Sequence, residues 1–449
     1  MVEFKLKNIG LIENSTISLN DLTIICGQNN TGKTYITYSI YGFLSMWKDL
    51  IEFDIKDSYY DELFENGFCS IDIKEFESQV NNILKTLSNR YTSLLGNVFS
   101  VENDWFSDSF FEVVIDDYLL DLNIELNTTL TSPSKKDVLQ IKKYEDKDVL
   151  EISTLISDKS NQLPKFILEQ GINRALGDIF FSKYFQNPFI ITSERTGISL
   201  FYKELDINKN VMVEHITKNK GKDIDPFRIF EDTLSRYAMP IQDNIDYTRN
   251  LTDGVIKKKS FLFDDKDIND YFSNILQGSY RVINKEVYFV TKKGRKKIPM
   301  YFSSSATKSL LELYFYIKHT AKKGDILIID EPELNLHPDN HLYITRLLAH
   351  LSNNGINVFI TTHSDYIIKE FNNLIRLKHN IKNKDKILKK YKYKEHDILD
   401  YKRLYTYVND FGNLQKTIID DMGMEIESFD KTLNKLSNSM DEIYFNIEE

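Results

Sequence analysis

The apolar positions change period several times along the chain. FKLKNIG and STISLN alternate with a period of two, which predicts a short antiparallel pair of strands near the N-terminus. LTIIC, ending at Cys26, is a continuous apolar run, the pattern of a strand buried on both faces. Beyond it Ile36, Ile40, Phe43, Leu44 and Trp47 recur at helical spacing. From about Lys48 to Asn187 the stretch turns acidic and aromatic, as in ENDWFSDSFFEVVIDDYLLDLNIEL. It carries helix-like pieces and a hairpin near VLQIKKYEDKDVLEIS, and reads as an inserted α+β domain. PFIITSERTG is another buried strand ending in polar residues, and a mostly helical stretch follows to about Gly278.

EVYFVTKKGRKKIPMYF predicts a hairpin with a basic tip at Gly294. SSSATKSLLELYFYIKHT opens with hydroxyls and continues as a helix, and GDILIIDEPELNLHP is a strand running into a loop. A helix to Leu351, the strand NVFITTHS and a helix from Asp365 come next. RLYTYVNDFGNLQKTIID predicts a second hairpin; Phe429, Leu433, Leu436, Met440 and Ile443 mark a final amphipathic helix. Strands alternating with helices predict an α/β core with a mainly parallel sheet. No heptads are sustained and no internal repeat occurs, so a long coiled coil is not expected.

Composition narrows this picture. The 449 residues are 41% hydrophobic and 28% charged, which fits an ordinary globular protein. No apolar stretch approaches the roughly 18–20 residues of a spanning helix, and MVEFKLKNIG has no h-region, so neither a membrane partner nor a signal peptide is expected. Cys26 and Cys69 are too few for a disulfide framework or a zinc site of their own and fit a reducing cytoplasm. The net charge of −10 leaves nucleic-acid contact to local basic patches. Two exist, Lys292–Lys297 and Lys382–Lys394, and either reads equally as a solvated loop.

Between the LTIIC strand and the first helix, GQNNTGKT matches G-x-x-x-x-G-K-[ST] at every fixed position. Gly27 and Gly32 permit the tight backbone path, and the N–H groups of Asn29, Asn30, Thr31 and the helix start are free to meet phosphate oxygens. Lys33 would reach the β- and γ-phosphates, and the Thr34 hydroxyl could ligate Mg²⁺. The strand ILIID delivers Asp330, which fits a Mg²⁺-holding carboxylate. The adjacent Glu331 can act as general base toward an attacking water. His363 closes the next strand, where an imidazole could hydrogen-bond the γ-phosphate or the water. SSSATK opens a helix with hydroxyls and N–H groups that could form a second phosphate site.

In this order the motifs resemble the ABC-type ATPase heads of the SMC, RecF and OLD families, over the first fifty residues or so and most of the chain from Pro188 onward. The resemblance makes GQNNTGKT a Walker A loop, ILIIDE a Walker B strand, SSSATK a signature motif, ELNLHP a D-loop and His363 the switch histidine. It is nearest to stand-alone ATPases of bacterial anti-phage systems, in which an OLD-like head works with a nuclease or another toxic effector. SERTG is similar to a Glu-Arg element of that group and implies that Arg195 lies near the nucleotide. The signature lacks the usual glycine pair, with Ser305 and Ala306 near those positions, and Ser304 is named first as phosphate ligand with Ser305 beside it. No acidic cluster of a fused TOPRIM nuclease follows His363.

The resemblance implies an ATP-binding lobe over residues 1–47, an inserted domain over 48–187, a core with helical lobe over 188–375 and an α+β extension over 376–449. It further implies slow ATP hydrolysis with Mg²⁺, a homodimer or larger homo-oligomer closed around ATP, and a separate effector such as a TOPRIM or HNH nuclease. A RecF-like clamp on duplex DNA is the alternative, motivated by the Lys292–Lys297 tip.

Overall fold

The computed structural model describes residues 1–131, 137–155, 165–202 and 237–447. Strands β1 (Val2–Ile9) and β2 (Ile12–Ser18) form the expected antiparallel pair, with Phe4 opposite Ile17. β3 (Leu22–Gly27) follows and leads into the helix Lys33–Leu50. The next stretch contributes β4 (Phe68–Asp72), β5 (Phe110–Ile115), β6 (Leu126–Thr131), β7 (Asp137–Lys143) and β8 (Val149–Thr154). β7 and β8 are the expected hairpin. β9 (Pro188–Ile191), the antiparallel β10 (Gly278–Ile283), β11 (Glu286–Thr291) and β12 (Lys297–Pro299), then β13 (Ile326–Asp330) and β14 (Asn357–Thr362) come after. β15 (Leu404–Asp410) and β16 (Asn413–Lys416) form the second hairpin.

One mixed sheet of nine strands organises these elements, in the order β5-β1-β2-β16-β15-β3-β14-β13-β9. The run from β15 to β9 is parallel. Alternation sends successive side chains of these strands into two cores. Leu22, Ile24, Cys26, Leu327, Ile329, Val358 and Ile360 enter one core, which includes the helices Pro338–Asn353 and Asp365–Arg376. Ile25, Ile326, Ile328 and Phe359 enter the other, beneath Ile36, Ile40, Phe43 and Trp47 of the first helix. Burial on both faces is why these runs read as continuously apolar.

Residues 48–187 are tied into this frame. β5, inside the acidic and aromatic stretch, pairs antiparallel with β1, and Phe111 and Val113 share a core with Phe4. Only β4, β8, β7 and β6 form a small sheet of their own. The C-terminal hairpin likewise enters the sheet, with β15 parallel to β3. The helical stretch expected before Gly278 appears as Arg195–Phe201, Met239–Asn250 and Lys266–Leu276, with turns and the short 3-10 helix Val255–Lys257 between the last two, while residues 203–236 lie outside the described residues. The final helix spans Glu427–Phe445; the expected apolar positions Phe429 and Leu433 lie outside the residues whose side chains are described. Among the described residues no helix is long and apolar enough to cross a membrane.

Candidate functional site

The carboxyl ends of β3, β13 and β14 converge, and side chains and loops from all three line one cleft of about 490 Å³. Asn29, Asn30, Thr31, Gly32, Lys33 and Thr34 line it from the loop after β3. Asp330, Glu331, Thr361 and His363 line it from β13 and β14, and Ser193 from the turn after β9. Crevices at the carboxyl ends of parallel strands are the usual ligand sites of open α/β sheets.

The loop geometry demands its glycines. Gly32 caps the helix Lys33–Leu50 at φ 102°, a left-handed conformation that side chains disfavour. A Cβ on Gly27 would lie 2.6 Å from the carbonyl oxygen of Asn409 on β15. Asn409 Nδ2 donates to the Thr31 carbonyl at 3.0 Å, so the C-terminal hairpin braces the loop. Lys33 is buried, and its ammonium donates to the carbonyls of Gly27 at 3.0 Å and Gln28 at 2.7 Å. Burial lowers its pKa, against the pull of Glu331 and Asp330.

Asp330 lies in the floor of the cleft. Its Oδ1 accepts from the hydroxyls of Thr37 and Thr361, both at 3.1 Å, while its Oδ2 is buried without a partner. Burial pushes its pKa up to about 7, and the two hydroxyl donors work in the opposite direction. An orphaned carboxylate oxygen sharing a cleft with the Thr34 hydroxyl suits a hard divalent cation such as Mg²⁺, which takes oxygen ligands. Thr37, one helical turn beyond Thr34, is a partner of Asp330 that sequence reasoning missed; its position three residues on, facing the strand, is the available signal.

Glu331 and His363 form a pair, Nε2 to Oε1 at 2.9 Å. This hydrogen bond holds the Glu331 pKa below the usual range. Glu331 has φ 51°, unusual for a residue with a side chain, and its N–H donates to the Thr361 carbonyl at 3.1 Å. Glu333, two residues on, accepts from the Thr362 hydroxyl at 2.7 Å and the His363 N–H at 2.8 Å, and so fixes the end of β14.

Arg195 stands directly behind the cleft and not in its lining. It is 2% exposed. Its guanidinium donates to the backbone carbonyls of Thr192 at 3.0 Å, Asp330 at 2.7 Å and Glu331 at 2.5 Å. With its fork spent on carbonyls, it holds the acidic strand end from behind and leaves the cleft to smaller groups. Ser304 and Ser305 also stand outside their own chain's cleft. Ser304 caps the helix Ser305–Ser309 by accepting from the Thr307 N–H at 3.2 Å, and both serines are exposed.

A larger cavity of about 660 Å³ lies beside the β10–β11 hairpin. Arg281, Lys292, Arg295 and Lys297 line it together with apolar and uncharged residues, and no carboxylate does. It has the charge for an anion and lacks the acid–base pair of the smaller cleft.

Residues 1–368 match the model of the AAA_15 family, an AAA ATPase domain. No curated protein matches the chain. Among solved structures the chain is similar to the SMC head domain from Thermotoga maritima, at 12% identity over 93% of this chain and 98% of that one, TM-score 0.32. It is also similar to the Smc head domain with an extended coiled coil bound to the C-terminal domain of ScpA, from Pyrococcus furiosus, at 12% identity, 97% and 100% coverage and TM-score 0.34. A third similar structure, an SmcHead bound to the C-winged helix domain of ScpA, has 10% identity, 92% and 96% coverage and TM-score 0.33.

Proposed function

Since the chain belongs to the AAA ATPase domain family, we propose that it binds ATP in the cleft at Asn29–Thr34 and hydrolyses it slowly. The observation that carries this reading is one cleft lined by the glycine loop, Asp330, Glu331 and His363. The loop N–H groups and Lys33 bind the β- and γ-phosphates. Glu331 accepts a proton from the water that attacks the γ-phosphorus, the bond to the bridging oxygen breaks, and ADP and phosphate leave. His363 orients Glu331 by donating its Nε2–H to the carboxylate at 2.9 Å. Mg²⁺ held by Thr34 and Asp330 would neutralise charge on the β- and γ-phosphates.

Two copies close around ATP in this reading, with Ser304 and Ser305 of one facing the loop of the other. Support comes from their exposure and from Tyr301 and Phe302 just before them, 71% and 79% exposed. Large exposed aromatics beside a polar motif are the composition of an interface. In the cytoplasm the ATP-closed dimer then serves as sensor and scaffold of a bacterial anti-phage system, controlling a separate effector such as a nuclease. The motif order and its resemblance to OLD-like heads support that role. Lys33→Ala should weaken ATP binding at least tenfold. Glu331→Gln should keep binding, lower turnover about a hundredfold or more, and trap an ATP-bound dimer. Unchanged ATP affinity in Lys33→Ala, measured by calorimetry, would overturn the site.

A second reading, a clamp on duplex DNA, rests on the exposed basic tip at residues 292–297 and the basic cavity beside it. ATP-stimulated, salt-sensitive duplex binding that disappears when Lys292, Lys293, Arg295, Lys296 and Lys297 are neutralised would favour it.

A further inference from the structure

Outside the cleft, three segments bring imidazoles and carboxylates together. Asp267 comes from the start of the helix Lys266–Leu276, His350 from the last turn of the helix Pro338–Asn353, and His396 and Asp397 from the short turn Glu395–Asp397. One ligand atom each from Asp267, His350 and His396 lies within 4.8 Å of the others. His396 Nε2 is 2.7 Å from Asp267 Oδ2 and 3.9 Å from Asp397 Oδ1.

The buried half of this cluster has a conflict in it. His350 Nδ1 and Asp397 Oδ1 face each other at 3.5 Å, with side chains 5% and 0% exposed, and neither atom has a hydrogen-bond partner. The other imidazole nitrogen, Nε2, is 3.0 Å from Asp265 Oδ2. Asp265 is itself fixed, because its Oδ1 accepts the N–H groups of Asp267 at 2.8 Å and Ile268 at 3.1 Å. Asn354 Nδ2, 3.3 Å from the same Nε2, donates to the His350 carbonyl at 2.8 Å. A carboxylate acceptor at Nε2 places the ring proton there and leaves Nδ1 with a lone pair. That lone pair would then point at a carboxylate oxygen in a buried place, which is unfavourable unless a second ring proton or a metal cation lies between them. The second oxygen of Asp397 is occupied by the Tyr271 hydroxyl, and the second oxygen of Asp267 by the Lys394 ammonium at 2.5 Å.

We propose that His350, His396 and Asp267 hold a divalent transition-metal ion, zinc being the best match to two imidazoles and a carboxylate with a fourth position for water. Zinc bonds of about 2.0–2.1 Å place tetrahedral ligand atoms about 3.3 Å apart. His396 Nε2 and Asp267 Oδ2 are 2.7 Å apart, and the three ligand atoms all lie within 4.8 Å of one another, so a small closure of the group would seat an ion. Asp265 acts as the outer carboxylate that orients a metal-bound histidine. The ion pins the turn at Glu395–Asp397, and with it the approach to β15, onto two helices of the core. Its task is structural, since no atom of the cluster lines the cleft.

The test uses the full chain, stripped with chelator and kept free of nucleotide. Co²⁺ is titrated as a spectroscopic probe and then displaced by Zn²⁺. One ion per chain with the visible absorption of four-coordinate cobalt is expected. His396→Ala and Asp267→Asn should each weaken uptake at least tenfold; these side chains are 47% and 31% exposed, so the core stays filled. Asp330→Asn, which disables the cation position in the cleft, should leave this uptake intact. Zn²⁺ should raise the melting temperature of the parent and not of His396→Ala. No saturable uptake by the parent overturns the proposal. Parental affinity in both His396→Ala and Asp267→Asn overturns it equally, and a second proton on His350 would then bridge to Asp397.

Discussion

At the residue scale, Glu331 combines two features that single-site variants can separate. Its backbone is held in the left-handed region at φ 51° while its carboxylate is paired with His363. Such strain costs on the order of 1–3 kcal/mol and persists where surrounding structure enforces it. Glu331→Gly and Glu331→Ala both lose the carboxylate and should both lose turnover. The glycine variant should nevertheless be about 1 kcal/mol more stable than the alanine variant, because only glycine takes that φ freely. Denaturant midpoints of the two, without nucleotide, check this; equal midpoints would show that the backbone is unstrained. A second buried acid sets a pH dependence. Glu312 accepts from the Thr248 hydroxyl at 3.0 Å, and burial pushes its pKa up to about 8. The folded state therefore keeps a proton that the unfolded chain releases near the ordinary glutamate value of 4.5. Stability contributed by this group falls as pH rises from about 4.5 to 8 and is level above that. Glu312→Gln removes the titration, so its stability relative to the parent should grow between pH 5 and 8, on the order of 1–3 kcal/mol. A constant difference across that range would count against the buried acid as its source.

At the element scale, the most informative contact is the one β15 makes with the loop after β3. Asn409 stands where β15 ends, its side chain on the Thr31 carbonyl and its own carbonyl against Gly27. Asn409→Ala removes a buried hydrogen bond, which costs about 1–2 kcal/mol. It should raise the Kd for ATP about three- to tenfold, read by nucleotide titration, while Glu331 and His363 remain in place. An unchanged Kd would mean that the loop holds its shape without β15. Nothing in NDFG announces this role. The glycine loop, the acidic strand end and the histidine strand were legible because each depends on local geometry written into adjacent residues. β3, β13 and β14 were legible because two-sided burial leaves an unbroken apolar run. β5 and β15 were placed only by the structure, since their partners β1 and β3 lie about a hundred and nearly four hundred residues away and pairing over such spans leaves no periodic mark. The carbonyl contacts of Arg195 were not legible for a related reason. Its residue type fits phosphate as well as carbonyl oxygen, and only the path of the turn after β9 decides between them.

At the scale of the whole molecule, the proposed shared site makes a claim about which chain supplies which group. Ser304 and Ser305 do not line the cleft of their own chain, and their exposure leaves them free to meet another copy. In a two-fold dimer the same patch serves both chains, so each ATP would be enclosed by the loop of one and the serines of the other. Lys33→Ala destroys the loop half, and a Ser304→Ala/Ser305→Ala double variant destroys the serine half. Each variant alone should be almost inactive. Mixing equal amounts under exchanging conditions gives heterodimers in half of the population, each with one site lacking both halves and one site wholly intact. About a quarter of parental ATPase activity should therefore return on mixing. If the serines served their own chain, every site in every mixture would lack one half, and mixing would restore nothing. The experiment thus separates a site shared between copies from one completed within a single chain. It does so without knowledge of the effector, because the readout is phosphate release alone.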